Sequence, residues 1–178
     1  MPINRLAKST KFNGGVAGLI VFCLLVTGCG FQLRGSGQAI VWPAQLQKLQ
    51  LRFDGSVDPD FRASLRNRII DRYGVEIVKD DAPELVISGV TRDRRVLSLG
   101  ATGKVSEYLL RFQASFVLLH EDGKSIIDKQ TVRLQRDFSF DNTRLLAKEL
   151  EESRLSKQMQ NDAVRRILRK VIALTPNL

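Results

Sequence analysis

Alternating apolar and polar residues predict the strands of this chain. Residues 47–53 place Leu49, Leu51 and Phe53 on one face and polar side chains on the other. Residues 104–119 form the longest such segment, whose apolar face carries Tyr108, Leu110, Phe112, Ala114, Phe116 and Leu118. Asp122-Gly123 then predicts a tight hairpin turn into a strand over residues 125–138. A further strand begins over residues 75–78, is interrupted at 80–83 and resumes over 85–91.

A spacing of about four residues between apolar positions predicts two helices. The first begins at Asp58-Pro59, ends at Gly74 and has one apolar stripe: Phe61, Leu65, Ile69 and Tyr73. The second, capped by one of residues 141–143, has two stripes that are out of phase: Leu146 and Leu150, then Leu155, Met159, Ala163, Ile167 and Val171. A bend near residues 151–153 would align them. We expect an α+β two-layer sandwich, with two helices packed on one face of a mainly antiparallel four-stranded sheet.

The N-terminal segment has the layout of a bacterial secretory signal that ends at a cysteine. Three basic residues precede an apolar run over residues 14–26, which spans about 20 Å and is too short for a hydrocarbon core of about 30 Å. Val26-Thr27-Gly28-Cys29 resembles the lipobox, which implies cleavage before Cys29 and acylation of that cysteine. The alternative is a buried helix with an incidental cysteine. We predict a removed signal over residues 1–28, a lipidated tether over 29–45 and one domain over 46–178.

Charge and cysteine content limit the kinds of ligand and the kinds of site that the exported chain can have. Without the three basic residues of the signal, the chain has 25 lysines and arginines and 19 acidic residues, which gives a net charge of +6. An exported protein does not ordinarily meet nucleic acid, so the candidates are anionic lipid, lipopolysaccharide or an acidic protein surface. Cys23 leaves with the signal and Cys29 is lipidated, which leaves no thiol for a disulfide or a metal site.

No set of residues in the sequence predicts an enzyme, a cofactor or a metal. The only histidine, His120, has no second histidine or cysteine to act with. Residues 100–104 lack the glycine spacing and the Ser or Thr of a phosphate-binding loop. The acids at residues 80, 81 and 84 lack the spacing of a calcium loop.

The cations are better placed to bind a ligand. If the helices cover the apolar face of the sheet, the opposite face carries arginines, whose planar forks match phosphate oxygens. Our candidates for binding the phosphates of a lipid head group, such as that of lipopolysaccharide, are Arg95, Arg111, Arg133 and Arg136, although alternation places Arg136 on the apolar face unless a bulge intervenes. The alternative is that such residues only keep a sheet face soluble. Four cations near the end of the second helix, residues 165, 166, 169 and 170, are interpreted as offsetting the helix dipole.

Several short pieces, in their order along the chain, resemble the LptE family of lipopolysaccharide-assembly lipoproteins. These are the lipobox, residues 29–35 (CGFQLRG), residues 106–108 (SEY) and residues 136–141 (RDFSFD). The resemblance implies a noncatalytic α/β sandwich anchored in the outer membrane. It also implies that the domain plugs the β-barrel LptD, helps its assembly and assists delivery of lipopolysaccharide to the outer leaflet. The alternatives are an accessory lipoprotein of another outer-membrane machine, in barrel assembly or as a secretin pilot, and, less favoured, a lipid-anchored periplasmic enzyme.

Overall fold

The computed structural model describes residues 41–175. The predicted signal, Cys29 and the first part of the predicted tether lie outside these residues. The strands are β1 (Lys48–Phe53), β2 (Glu76–Ile77), β3 (Glu84–Leu99), β4 (Val105–Leu119) and β5 (Ser125–Ser139). The helices are α1 (Pro59–Tyr73) and α2 (Leu145–Leu174), and single 3-10 turns occupy Ala44–Leu46 and Asn142–Arg144.

The strands form one mixed sheet in the order β2-β1-β3-β4-β5. Strands β3, β4 and β5 are antiparallel and are joined by short turns, whereas β1 is parallel to both of its neighbours. Parallel pairing requires a crossover, and α1 supplies it. The predicted two-layer α+β class is confirmed. The sheet has five strands and not four, because the two-residue strand β2 pairs with β1.

Helix α1 has the ends that its sequence predicts. The Asp58 carboxylate accepts hydrogen bonds from the backbone N–H groups of Asp60 and Phe61, at 2.9 and 3.2 Å. Gly74 ends the helix in the left-handed conformation, with φ of 66°. Its apolar stripe is buried except at Tyr73, whose ring lies 4.8 Å from that of Trp42. Trp42, at the end of the predicted tether, is therefore buried against the domain.

Helix α2 is one uninterrupted helix of 30 residues, so no break aligns its two apolar stripes. From Leu155 onward the second stripe packs on the sheet. The first stripe faces solvent, with Leu146 81% exposed and Leu150 73% exposed. The interruption near residues 151–153 that would align the stripes is absent from this helix, so the first stripe stays out of phase with the buried one.

The core lies between the sheet and the two helices. Phe112 and Phe116 of β4 are both buried in it, and the Phe61 ring of α1 lies 5.6 Å from that of Phe112. No helix within residues 41–175 is long and apolar enough to cross a membrane.

Candidate ligand-binding face of the sheet

A bulge in β3 decides which side chains reach the uncovered face of the sheet. Gly89 has φ of 56°. Between Ser88 and Thr91, strand β3 has one residue more than the segment of β4 that it pairs with. This is the geometry of a bulge that begins with a left-handed glycine. Before the bulge, odd-numbered residues of β3 such as Ile87 face the core. After it and as far as Val96, odd-numbered residues pair with odd-numbered residues of β4 and face away from the helices.

Arg95 and Arg111 meet on the uncovered face around one carboxylate. Asp93 pairs with Arg111 across the two strands, and the Arg111 Nη2 and Nε atoms donate to its Oδ2 at 2.8 and 3.1 Å. Arg95 Nε also donates to Asp93 Oδ2, at 3.1 Å. The hydrogen bond from Arg111 is the main reason that the pKa of Asp93 lies below its ordinary value, and the hydrogen bond from Arg95 contributes as well. Two guanidinium groups therefore share a single acid that stays ionised.

Arg133 lies on the same face, one strand further toward the edge. Its Nε donates to Gln113 Oε1 at 3.0 Å, so its partner is neutral and its charge is not cancelled. Arg111 and Arg133 line a shallow depression of about 220 Å³, together with polar side chains of three strands: Thr91, Asp93, Gln113 and Gln135. Arg133 keeps its two terminal amino groups available to a ligand, since a guanidinium carries five N–H donors.

Arg136 lies elsewhere, on the side of the sheet that the helices cover. It pairs with Leu110, a core position of β4, and its Nη2 donates to Asp162 of α2 at 3.4 Å. The pairing with β4 is regular at this point, so no bulge brings Arg136 to the other face. Of the four candidate arginines, the structure brings together Arg95, Arg111 and Arg133, and it separates Arg136 from them.

Two further arginines of β3 also point toward the helices. Arg92 forms an ion pair with Asp58, the N-cap of α1. Arg94 donates to Glu152 of α2 at 2.6 Å, and its guanidinium lies 4.5 Å from the centre of the Tyr108 ring. These arginines attach helices to the sheet. Regular alternation along β3 would place them on the opposite face from Ile87, but the bulge inverts that alternation. The available signal was Gly89, a glycine inside a strand, which often marks a bulge.

The arrangement of the uncovered face suits the binding of an anionic ligand. Within residues 41–175, no group of three or more His, Cys, Asp or Glu side chains is placed to hold a metal. His120 lies beside the β4–β5 turn, with its Nδ1 atom 3.5 Å from Asp122 Oδ1. The polar face offers guanidinium donors in fixed positions, which is the geometry that carboxylates and phosphates bind.

Two of the short pieces quoted above meet at one end of the sheet. Tyr108 pairs with Phe138, and their rings are stacked 5.8 Å apart. The Phe140 ring meets that of Tyr108 edge-on at 5.0 Å, and the Phe140 N–H donates to the Ser106 carbonyl. Segments 106–108 and 136–141 therefore form one aromatic cluster.

Comparisons with known proteins relate the chain to one family. The family model LptE, described as "Lipopolysaccharide-assembly", matches residues 46–171. The LPS-assembly lipoprotein LptE of Pectobacterium atrosepticum is 35% identical over 167 residues, which cover 89% of this chain and 84% of that protein. The solution structure of an uncharacterized lipoprotein B from Nitrosomonas europaea superposes with a TM-score of 0.69 at 30% identity, covering 82% of this chain and 92% of that one. The crystal structure of rare lipoprotein B from Shewanella oneidensis gives a TM-score of 0.62 at 27% identity, over 71% and 94%.

Proposed function

The chain belongs to the LptE family, and from this we propose that it is an outer-membrane lipoprotein that helps to deliver lipopolysaccharide to the outer leaflet. The family is a non-enzymatic assembly family. The observation that carries the proposal is the match of the LptE family over residues 46–171, which include both layers of the fold. The predicted acylation of Cys29 supplies the anchor. The residue after that cysteine is Gly30 and not aspartate, which resembles the pattern of lipoproteins sorted to the outer membrane.

The proposed protein partner is the β-barrel LptD, which the domain would plug and help to assemble. The proposal is supported by membership of the LptE family. The test is to extract the tagged full-length protein from outer membranes in mild detergent. We expect LptD to be retained at near-equal stoichiometry, whereas an unrelated tagged lipoprotein should retain none. Recovery without a barrel, or with a different barrel, would favour an accessory role in another outer-membrane machine.

The proposed ligand is lipopolysaccharide, held through its phosphates by arginines of the uncovered face. Arg95, Arg111 and Arg133 place three positive charges on this face, and Asp93 is the acid that Arg95 and Arg111 contact. Arg111 and Arg133 line the 220 Å³ depression. Arg136 remains a candidate only as a separate contact on the helix side.

Neutralising the two arginines of the depression tests this ligand proposal. Arg111→Gln with Arg133→Gln should weaken lipopolysaccharide binding at least about tenfold, because charge-assisted hydrogen bonds to phosphate are lost. Stability should change little, since exposed ion pairs contribute about 0 to 1 kcal/mol. The matched control is Arg66→Gln with Arg72→Gln, two exposed arginines of α1. Normal binding by the first variant would show that these arginines only keep the sheet face soluble.

A further inference from the structure

A basic groove runs along the free edge of the sheet. Strand β5 pairs only with β4, so its other edge faces no strand within residues 41–175. The second half of α2 lies beside this edge and leaves a groove of about 410 Å³. Residues 131–133 of β5 form one wall, and Arg166, Arg169, Lys170 and Ala173 of α2 form the other.

The α2 wall is one face of the helix. Positions 166, 169, 170 and 173 have the spacing that places side chains on a common face, next to the face buried on the sheet, which includes Ile167 and Val171. Helix dipoles favour cations only within the last turn. Arg166 is eight residues and Arg169 five residues before the last helical residue, Leu174. The dipole therefore does not account for these two arginines.

The groove lacks the acids that neutralise cations elsewhere in the domain. Arg92, Arg94 and Arg111 each have a carboxylate partner. Four cations line the groove and no acid does. Arg133 and Lys170 donate to the neutral amides of Gln113 and Gln130, at 3.0 and 3.1 Å. Within residues 41–175, Arg166 and Arg169 take part in none of the ion pairs.

We propose that this groove binds the phosphate of an anionic lipid headgroup. Guanidinium groups present paired donors that fit phosphate oxygens, and a groove without acids attracts an anion. Arg133 lines both the groove and the 220 Å³ depression, so the two basic sites are continuous around the sheet edge. The inference deepens the proposed function and rests on it for the class of ligand. Two sources share this chemistry, lipopolysaccharide and an acidic phospholipid.

The test compares charge reversals on two parts of α2. Arg166→Glu with Arg169→Glu changes the groove. Arg154→Glu with Lys157→Glu makes the same change of charge at the same spacing on exposed positions of the same helix. Each full-length lipidated protein is kept in a nonionic detergent and titrated with lipopolysaccharide, phosphatidylglycerol or phosphatidylcholine. Anisotropy of labelled lipid gives the affinity, native mass spectrometry identifies the lipid retained, and thermal melts verify folding.

We expect the groove variant to lose at least about tenfold affinity for an anionic lipid, because charge-assisted hydrogen bonds are replaced by repulsion. The control should stay within about twofold, and phosphatidylcholine should bind weakly to every protein. If the groove variant loses affinity for lipopolysaccharide alone, lipopolysaccharide is the ligand of the groove. If it loses affinity for phosphatidylglycerol equally, the groove is a general phosphate site.

Two results would overturn the groove site. One is unchanged affinity of the folded groove variant, and the other is an equal loss in the control, which would indicate attraction to net charge alone. If the groove variant binds normally while Arg111→Gln with Arg133→Gln does not, the groove site fails and the proposed function stands. If the unaltered protein binds neither anionic lipid, the lipid-binding part of the proposed function fails as well.

Discussion

The packing of Phe112 between the sheet and α1 makes Phe112→Ala a direct test of the fold. Phe112 is 2% exposed and its ring contacts that of Phe61, which is fully buried. Loss of the buried ring costs about 1.5 to 3 kcal/mol in transfer free energy. A residual cavity of about 50 to 100 Å³ adds about 1.2 to 2.4 kcal/mol at roughly 24 cal/mol per Å³. The expected loss in the free energy of unfolding is about 3 to 5 kcal/mol.

Urea unfolding of a soluble form that begins after Cys29 measures this loss. The urea midpoint should fall while the m-value stays constant, because the change affects stability and not the surface exposed on unfolding. Val96→Ala, at a half-exposed position of β3, is the control and should change stability by no more than about 0.5 kcal/mol. A loss below about 1 kcal/mol for Phe112→Ala would refute the burial of this ring beneath α1.

Three other predictions concern the anchor, the N-cap of α1 and the bulge. Intact mass of the membrane form should show a triacylated chain that starts at Cys29, and an uncleaved Met1 terminus would exclude the lipobox assignment. Burial raises the pKa of Asp58, but hydrogen bonds from Arg92 and the helix N-terminus outweigh it, and the net pKa is lowered. The unfolded state then binds the proton of Asp58 more tightly than the folded state, so acid removes the stability that the ionised carboxylate contributes. Urea titrations should therefore show that the stability difference between the unaltered protein and Asp58→Asn shrinks as pH falls below about 4. Gly89→Ala should cost about 1 to 2 kcal/mol in thermal or urea melts, because alanine is strained at φ of 56°, and an unchanged midpoint would contradict the bulge geometry.

The elements that the sequence predicted best are those with local signals. The cap at Asp58, the glycine at residue 74 and a stripe of period near four define α1 without any tertiary information. Alternation over 15 residues likewise defines β4, whose apolar face is the buried one. The pairing of β1 with β3 lacks such a signal, because parallel partners are separated by a crossover and their register depends on packing.

The candidate site was predicted in part for the same reason. Arg111 and Arg133 follow from alternation within single strands, and the depression between them confirms that they share a face. Arg95 reaches that face only because one extra residue at the bulge inverts the alternation of β3. The groove beside α2 depends on how far the helix lies from the sheet edge, a tertiary distance that helical spacing does not contain.

The position of β1 between two parallel neighbours has a consequence for the order of folding. β1 is synthesised before β2 and β3, and residues 54–83 separate it from β3. The β3–β4 and β4–β5 hairpins need only short loops to close, and such hairpins form within about 1 to 10 μs. Closing β1 against β3 brings distant parts of the chain together, which slows folding. The strand that the ribosome makes first therefore has to wait for later segments before its backbone hydrogen bonds can form.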